Sequence, residues 1–203
     1  MNIQEYSVAL ATTLESKKNS SAIAREIGIN QSAASRFLNN LDLGDVDFLP
    51  LVTSMFGSQK LNLIIDEVTI SKRFSSEIEG TSSMIDQSTK TFTNGYKIVA
   101  AGLTNGQYFL PIASEQWIAE FIMREGYRKI TQLAEALILR LSNLGLQIKT
   151  CILDGLYFAK EFVHSLDNQG RKFVIKAKTT TSVHYKGRAM QLQNCKDLRL
   201  NSN

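Results

Sequence analysis

The chain has 203 residues, 43% of them hydrophobic and 21% charged, with a formal net charge of +4. This is the composition of a globular chain with ample apolar material for a core, and no apolar run approaches the ~18–20 residues that span a bilayer, so no membrane partner is expected. Cys151 and Cys195 lie far apart with no Cys-x-x-Cys, which excludes a disulfide framework and a structural zinc site.

Two histidines leave any metal site mainly to carboxylates, and that favours magnesium or manganese over zinc. The amino terminus, MNIQEYSVALATTLESKK, has acidic and polar breaks where a secretory signal is continuously apolar, so a cytoplasmic location is expected. The positive charge is concentrated at the other end. Residues 171–203 hold eight Lys or Arg against one Asp, and such a stripe fits either a phosphate-bearing partner or a solvated face.

In chain order, Ile3, Tyr6, Leu10 and Leu14 recur at helical spacing. Residues 20–40, SSAIAREIGINQSAASRFLNN, read as two short helices around a turn at Gly28, with Ser20 or Ser21 as the first cap. Ile23, Ala24 and Ile27 form the inner face of the first helix, and Ala34, Phe37 and Leu38 that of the second. The pattern resembles the helix-turn-helix of many DNA-binding proteins, although an ordinary helical hairpin fits it equally. In that motif the second helix enters the major groove, and here Gln31, Ser32, Ser35, Arg36 and Asn39 would face outward to read base edges. A segment around Phe48–Phe56 ends at Gly57, the expected boundary of a helical module over 1–57.

From residue 60 the period changes. LNLIIDEVTI reads as a buried strand, and YKIVAAGL and QYFLPIA flank Thr104-Asn105-Gly106, a hairpin signal. Pro111 pushes the latter strand toward an edge or an early end. A helix holding Trp117, Phe121 and Met123–Arg124 is expected next, then one with Ile130, Leu133, Leu137, Leu141 and Leu144 on one stripe. IKTCIL is a strand ending at Asp154, residues 156–167 read as a helix, and KFVIKA is a further strand. Beyond Lys178 no strong period remains. The order β-β-β-α-β-α-β predicts a mixed α/β fold, an RNase H-like sheet over 58–178 with a basic tail over 179–203.

In such a sheet the strands that carry Asp66 and Asp154 are adjacent and parallel, so the two acids converge. Strands as apolar as LNLII and IKTCIL gain nothing from an ionised carboxylate unless it has a task. A divalent cation offsets both the desolvation and the mutual repulsion, and paired carboxylates on magnesium are the usual arrangement for attack on a phosphodiester. Each Asp alone also reads as a turn former or helix cap, Asp154-Gly155 especially. Glu67, the alternate-face neighbour of Asp66, is expected to point away from it. His164 and His184 read as surface residues.

The stretches IIDEVTISKRFSSEIEG, GYKIVAAGLTNGQYFLPI and CILDGLYFAKEFVHSLDNQGRKFVIKAK resemble the DDE transposases of bacterial insertion sequences, most closely the insertion-sequence-4-like group. The residues that carry the resemblance are Asp66-Glu67, Thr69, Gly95, Asn105-Gly106, Asp154, Tyr157 and Phe162, over residues 60–178. The resemblance implies Asp66 and Asp154 as the first two catalytic acids, holding Mg2+ or Mn2+, with Tyr157 packing or orienting and Lys72 and Arg73 near phosphate or solvated. It implies double-stranded transposon-end DNA as partner and a place in the bacterial cytoplasm on the nucleoid.

The family's third acid is a Glu on a later helix near a Tyr-Arg-Glu-Lys-like signature. No such signature occurs here, and neither Glu161 nor Asp197 replaces it. The expectation is therefore the front part of a transposase, its RNase H-like domain incomplete. The missing acid would come from a downstream reading frame or a second polypeptide, and the expected protein partners are a second copy, as a homodimer, or a downstream-frame carboxy-terminal part. The alternative is a catalytically inactive, truncated DNA-binding protein, a transposition inhibitor or a decayed remnant.

Overall fold

In the computed structural model, residues 5–6, 9, 20–40, 49–72, 78–86, 89–123 and 125–195 are described. Arg73, Asp197 and the acidic run Asp42, Asp45 and Asp47 lie outside them, as does most of the first amphipathic stretch. The chain divides into two compact units, Met1–Asp47 and Phe48–Asn203.

The first unit contains α1 (Ser20–Ile27) and α2 (Gln31–Asn39). Gly28, at φ +76, turns the chain between them, and Ile29 N–H closes the turn on Ala24 O at 2.8 Å. Asn30 starts α2, its Oδ1 accepting from Ser32 N–H at 2.9 Å, which satisfies a donor the helix would otherwise leave open. Ile23, Ala24 and Ala34 are buried, and the small Ala24 and Ala34 let the helices approach closely. Tyr6 and Phe37 stack at a centroid distance of 5.8 Å.

The second unit begins at Phe48, ahead of the expected boundary at Gly57. The reason is α3 (Leu49–Phe56): Val52 and Phe56, one turn apart, are buried in the core of the sheet domain. The sheet follows, from β1 (Leu61–Ser71), β2 (Ser82–Asp86), β3 (Thr91–Thr104) and β4 (Phe109–Trp117) to β5 (Ile148–Leu153) and β6 (Phe173–Ile175). β3 runs antiparallel beside β1 and β4 antiparallel beside β3, while β5 and β6 run parallel to β1, in the order β4-β3-β1-β5-β6. This is the RNase H-like mixed sheet. β2 was not legible as a separate strand; it pairs with residues 91–95 of β3, on the edge that β4 occupies further along.

Pro111 places β4 at an edge, the first of the two outcomes expected, and a bulge at Ala101/Gly102 leaves Ile112 unpaired before pairing resumes at Ala113. Two other expectations are corrected. Trp117 ends β4 and does not start a helix. Its alternating stretch pairs with β3 as far as Lys97, and the helix expected there shrinks to α4 (Glu120–Met123). The helix expected over 156–167 is a short 3-10 turn, Gly155–Tyr157, followed by α6 (Lys160–Asn168).

Helix α5 (Ile130–Asn143) follows the predicted stripe, burying Leu133, Ala134, Leu137, Ile138 and Leu141. Gln132 Oε1 accepts from Lys129 N–H at 2.8 Å at its start, and Gly145, at φ +80, lies just past its end. α5 and α6 cover one face of the sheet, where Leu63, Ile65, Val99, Leu103, Cys151 and Leu153 meet Phe162 and Leu166. Burying a leucine such as Leu137 contributes about 1.5–3 kcal/mol.

Among the described residues nothing packs the other face as closely: Val68 and Val174 are 50% and 60% exposed. In the region read as a basic tail, β7 (Ser182–Tyr185) and β8 (Arg188–Gln191) form a separate two-stranded hairpin. No helix among the described residues is long and apolar enough to cross a membrane.

Candidate functional site

Across β1 and β5, Ile65 is opposite Leu153; across β5 and β6, Leu153 is opposite Ile175. Those are the last paired residues, and the next residues in each chain segment are Asp66, Asp154 and Lys176. All three line one cleft of about 830 Å3, together with Glu67, Gly155, Leu156, Phe158, Ala177, Lys178 and Thr181. The two acids singled out in the sequence thus open onto the same space, just past the point where the parallel pairing of β1 and β5 ends.

Local backbone holds each carboxylate. Asp66 Oδ1 accepts from Glu67 N–H at 2.9 Å, and Asp154 Oδ1 accepts from Leu156 N–H at 2.5 Å. Asp154 therefore does serve as the cap of the 3-10 turn and lines the cleft as well. Gly155 suits the position beside it, because a Cβ there would sit 3.2 Å from Lys176 O, a backbone atom, a tighter contact than most Cβ atoms make.

Glu67 departs from expectation. It occupies the opposite face of β1 from Asp66, as strand alternation dictates, yet it lines the same cleft. β5 stops at Leu153 while β1 continues to Ser71, so beyond Ile65 the β5 side of β1 has no paired strand to separate the two faces, although β3 stays paired on its other side. Burial raises the Glu67 carboxyl above the usual carboxylate range, and the charges of Asp154 and Asp66 add to this, with Lys97 acting against them. Its Oε2 is buried without a hydrogen-bond partner.

The hydroxyl of Tyr157, a fully buried side chain, is in the same condition. Burial foremost, then the charges of Glu67, Asp66 and Asp154, push this phenol far above its ordinary range. Tyr157 packs against Phe162, with ring centroids 6.2 Å apart. A packing role for Tyr157 is what this geometry supplies.

The donor set of the cleft is carboxylate oxygen, without thiol or imidazole, and suits a hard cation. Among the described residues, no group of three His, Cys, Asp or Glu stands together as a metal site. His164 and His184 are exposed and do not line the cleft.

Sequence reading did not single out Lys176 and Lys178 as cleft residues. The signal was present: in FVIKAK, burial alternates through Ile175 and Ala177 and leaves both lysines exposed on the face that carries Asp66 and Asp154. Lys72 is exposed at the far end of β1 and does not line the cleft. On α2, Gln31, Ser32, Arg36 and Asn39 are exposed and Ser35 is half-buried, while the Ser32 hydroxyl also donates to Asn30 Oδ1 at 3.0 Å.

The geometry defines a class: an RNase H-like sheet with one acid within its first strand and a second just past the end of the fourth long strand. No protein-family model matches the chain, and no curated protein does. Among solved structures, the chain is similar to a piggyBac transposase, determined by cryo-EM as a synaptic complex with hairpin DNA. The TM-score is 0.45 and the identity 12%, over 89% of this chain and 43% of that one, so the chain spans less than half the length of that transposase. A likeness of this degree assigns no function.

Proposed function

We propose that the chain is the front part of a DDE-type transposase of bacterial insertion sequences, acting on transposon-end DNA in the cytoplasm. The row Asp66, Asp154 and Lys176 on three adjacent parallel strands, open to one cleft, is the observation that carries this reading. Two carboxylates side by side repel each other, and a hard divalent cation is the partner that makes their convergence favourable.

Asp66 and Asp154 would hold Mg2+ or Mn2+, each with one oxygen already oriented by a backbone N–H. A cation bound there supplies Lewis-acid stabilisation of the phosphodiester and activates an attacking water or 3′-hydroxyl. Lys176 and Lys178 bind the non-bridging oxygens of the same phosphate and hold it against the acids. Phe158, 39% exposed on the rim, offers a ring on which a flanking base stacks.

The helices α1 and α2, joined by a glycine turn, act as a helix-turn-helix, with α2 in the major groove. Arg36 suits guanine and Gln31 and Asn39 suit adenine, while Ser32 and Ser35 adapt to either. A second polypeptide, or a carboxy-terminal part from a downstream frame, contributes the third acid.

The test is cleavage of DNA carrying the element's terminal repeats by this chain together with the product of the downstream frame. Divalent-dependent cleavage is expected, with loss in Asp66→Asn; cleavage retained in that variant overturns the reading. A second reading is a DNA-binding protein without turnover. It requires salt-sensitive DNA binding that Arg36→Glu abolishes, with no cleavage under any condition.

A further inference from the structure

The stripe of positive charge near the carboxyl end of the sequence does not fold into one patch. Lys176 and Lys178 join the acidic cleft, whereas Arg171 and Lys172 go to the opposite end of the parallel strands. There, at the amino ends of β1, β5 and β6, they line a pocket of about 380 Å3 with Lys60 and Lys149. Cys151, fully buried, contributes to its lining, and burial holds its thiol above the ordinary range, so it stays neutral. No acid lines the pocket, and among the described residues none of its four cations is paired with a carboxylate.

Four like charges around one small pocket repel one another, even with solvent screening. The end of α6 next to it, with Gly170 turning at φ +64, presents a partial negative charge that offsets only part of this. An anion removes the remainder. Arg171 is prepared for one: its Nε donates to Gln169 Oε1 at 2.8 Å, which fixes the guanidinium plane and leaves the terminal nitrogens for a phosphate.

The pocket is connected to the cleft. Exposure alternates along the edge strand β6 so that Lys172, Val174, Lys176 and Lys178 share its outer face. Lys172 and Lys176 are about 13 Å apart at the strand rise, a span of a few phosphates along one DNA strand.

We infer that the pocket of Lys60, Lys149, Arg171 and Lys172 is a second phosphodiester-binding site, gripping the DNA strand that passes the acidic cleft a few nucleotides from the phosphate held there. The inference rests on the DNA reading proposed above, and its ligand is the sugar-phosphate backbone, read without base specificity.

The experiment measures fluorescence anisotropy of a labelled DNA duplex against the full chain over a range of salt. It compares the unaltered chain with a pocket variant, Lys149→Ala with Arg171→Ala, and with a control of equal charge loss on the β7–β8 hairpin, Lys186→Ala with Arg188→Ala. Thermal melting verifies that each variant folds.

The plot of log affinity against log salt is expected to become shallower by about 1.8 for the pocket variant, two contacts at 0.9 each, and to change little for the control. An unchanged slope in the pocket variant, with the unaltered chain still binding, overturns the pocket and leaves the DNA reading standing. Equal flattening in both variants also overturns it, because the charge then acts diffusely. If the unaltered chain binds no DNA, the DNA reading itself fails. Titrating inorganic phosphate and following the amide signals of Gly170 to Lys172 then shows a free-phosphate pocket or none, and either result overturns the DNA assignment.

Discussion

Ile65 lies directly opposite Leu153 in the parallel pairing of β1 and β5, and this one register relationship brings Asp66 and Asp154 together. A shift of one residue would turn one of the acids to the helix-covered face. The buried pairs below, Leu63 with Cys151 and Ile65 with Leu153, make such a slip unfavourable, so the site is held by the core beneath it.

If the pair holds a divalent cation, Asp66→Asn and Asp154→Asn should each weaken Mn2+ binding by at least about tenfold, the scale seen when even supporting groups of a metal site are lost. Isothermal titration with Mn2+ measures it. In metal-free buffer neither variant should be less stable than the unaltered chain, since each removes repulsion between like charges. Equal Mn2+ affinity in all three proteins would rule the pair out as the cation site.

Glu67 gives a pH signature. Its folded-state carboxyl is raised above the unfolded value, so between those two values the native state holds the proton more tightly. The native state's advantage is therefore complete below the unfolded value, near 4.3, and is lost as pH rises through the folded value. Glu67→Gln removes this loss. In urea denaturation with chelator present, the stability gap between variant and unaltered chain should shift in favour of the variant as pH rises from about 4 to 7. A gap independent of pH would show that Glu67 titrates normally.

Tyr157 carries a buried hydroxyl with no partner, on a ring that fills the core. Tyr157→Phe keeps the ring and should leave stability within about 1 kcal/mol or raise it, because an unsatisfied polar group is removed. Tyr157→Ala should cost about 3–5 kcal/mol through the cavity it leaves. Equilibrium denaturation of the two variants decides. Comparable losses in both would mean that the hydroxyl carries a hydrogen bond worth as much as the ring.

At Gly95, β3 passes so close to β1 that a Cβ would run into the Ile70 carbonyl oxygen. Since that atom is backbone, relief needs the strands to part. Gly95→Ala should destabilise by about 1–3 kcal/mol, the usual cost of overpacking. The midpoint of a urea transition measures it, and an unchanged midpoint would show that the two strands separate freely here.

The sequence by itself determined the main strands and the long helix. Apolar β-branched runs such as LNLII and IKTCIL read as buried strands, and the stripe from Leu133 to Leu141 reads as one helical face, because burial periodicity is a local property. Asp66 and Asp154 stood out for the same reason, each an acid at odds with its apolar strand.

Tertiary structure alone decided the rest. Trp117 belongs to a strand because β3 offers it a partner at Lys97, and α3 joins the sheet because Val52 and Phe56 find its core. Glu67 enters the cleft because β5 ends where β1 continues, and the basic stripe divides because β6 carries Lys172 and Lys176 to opposite ends of the sheet. Each of these outcomes depends on where a distant segment stops or pairs, and the period of a single segment holds no record of that.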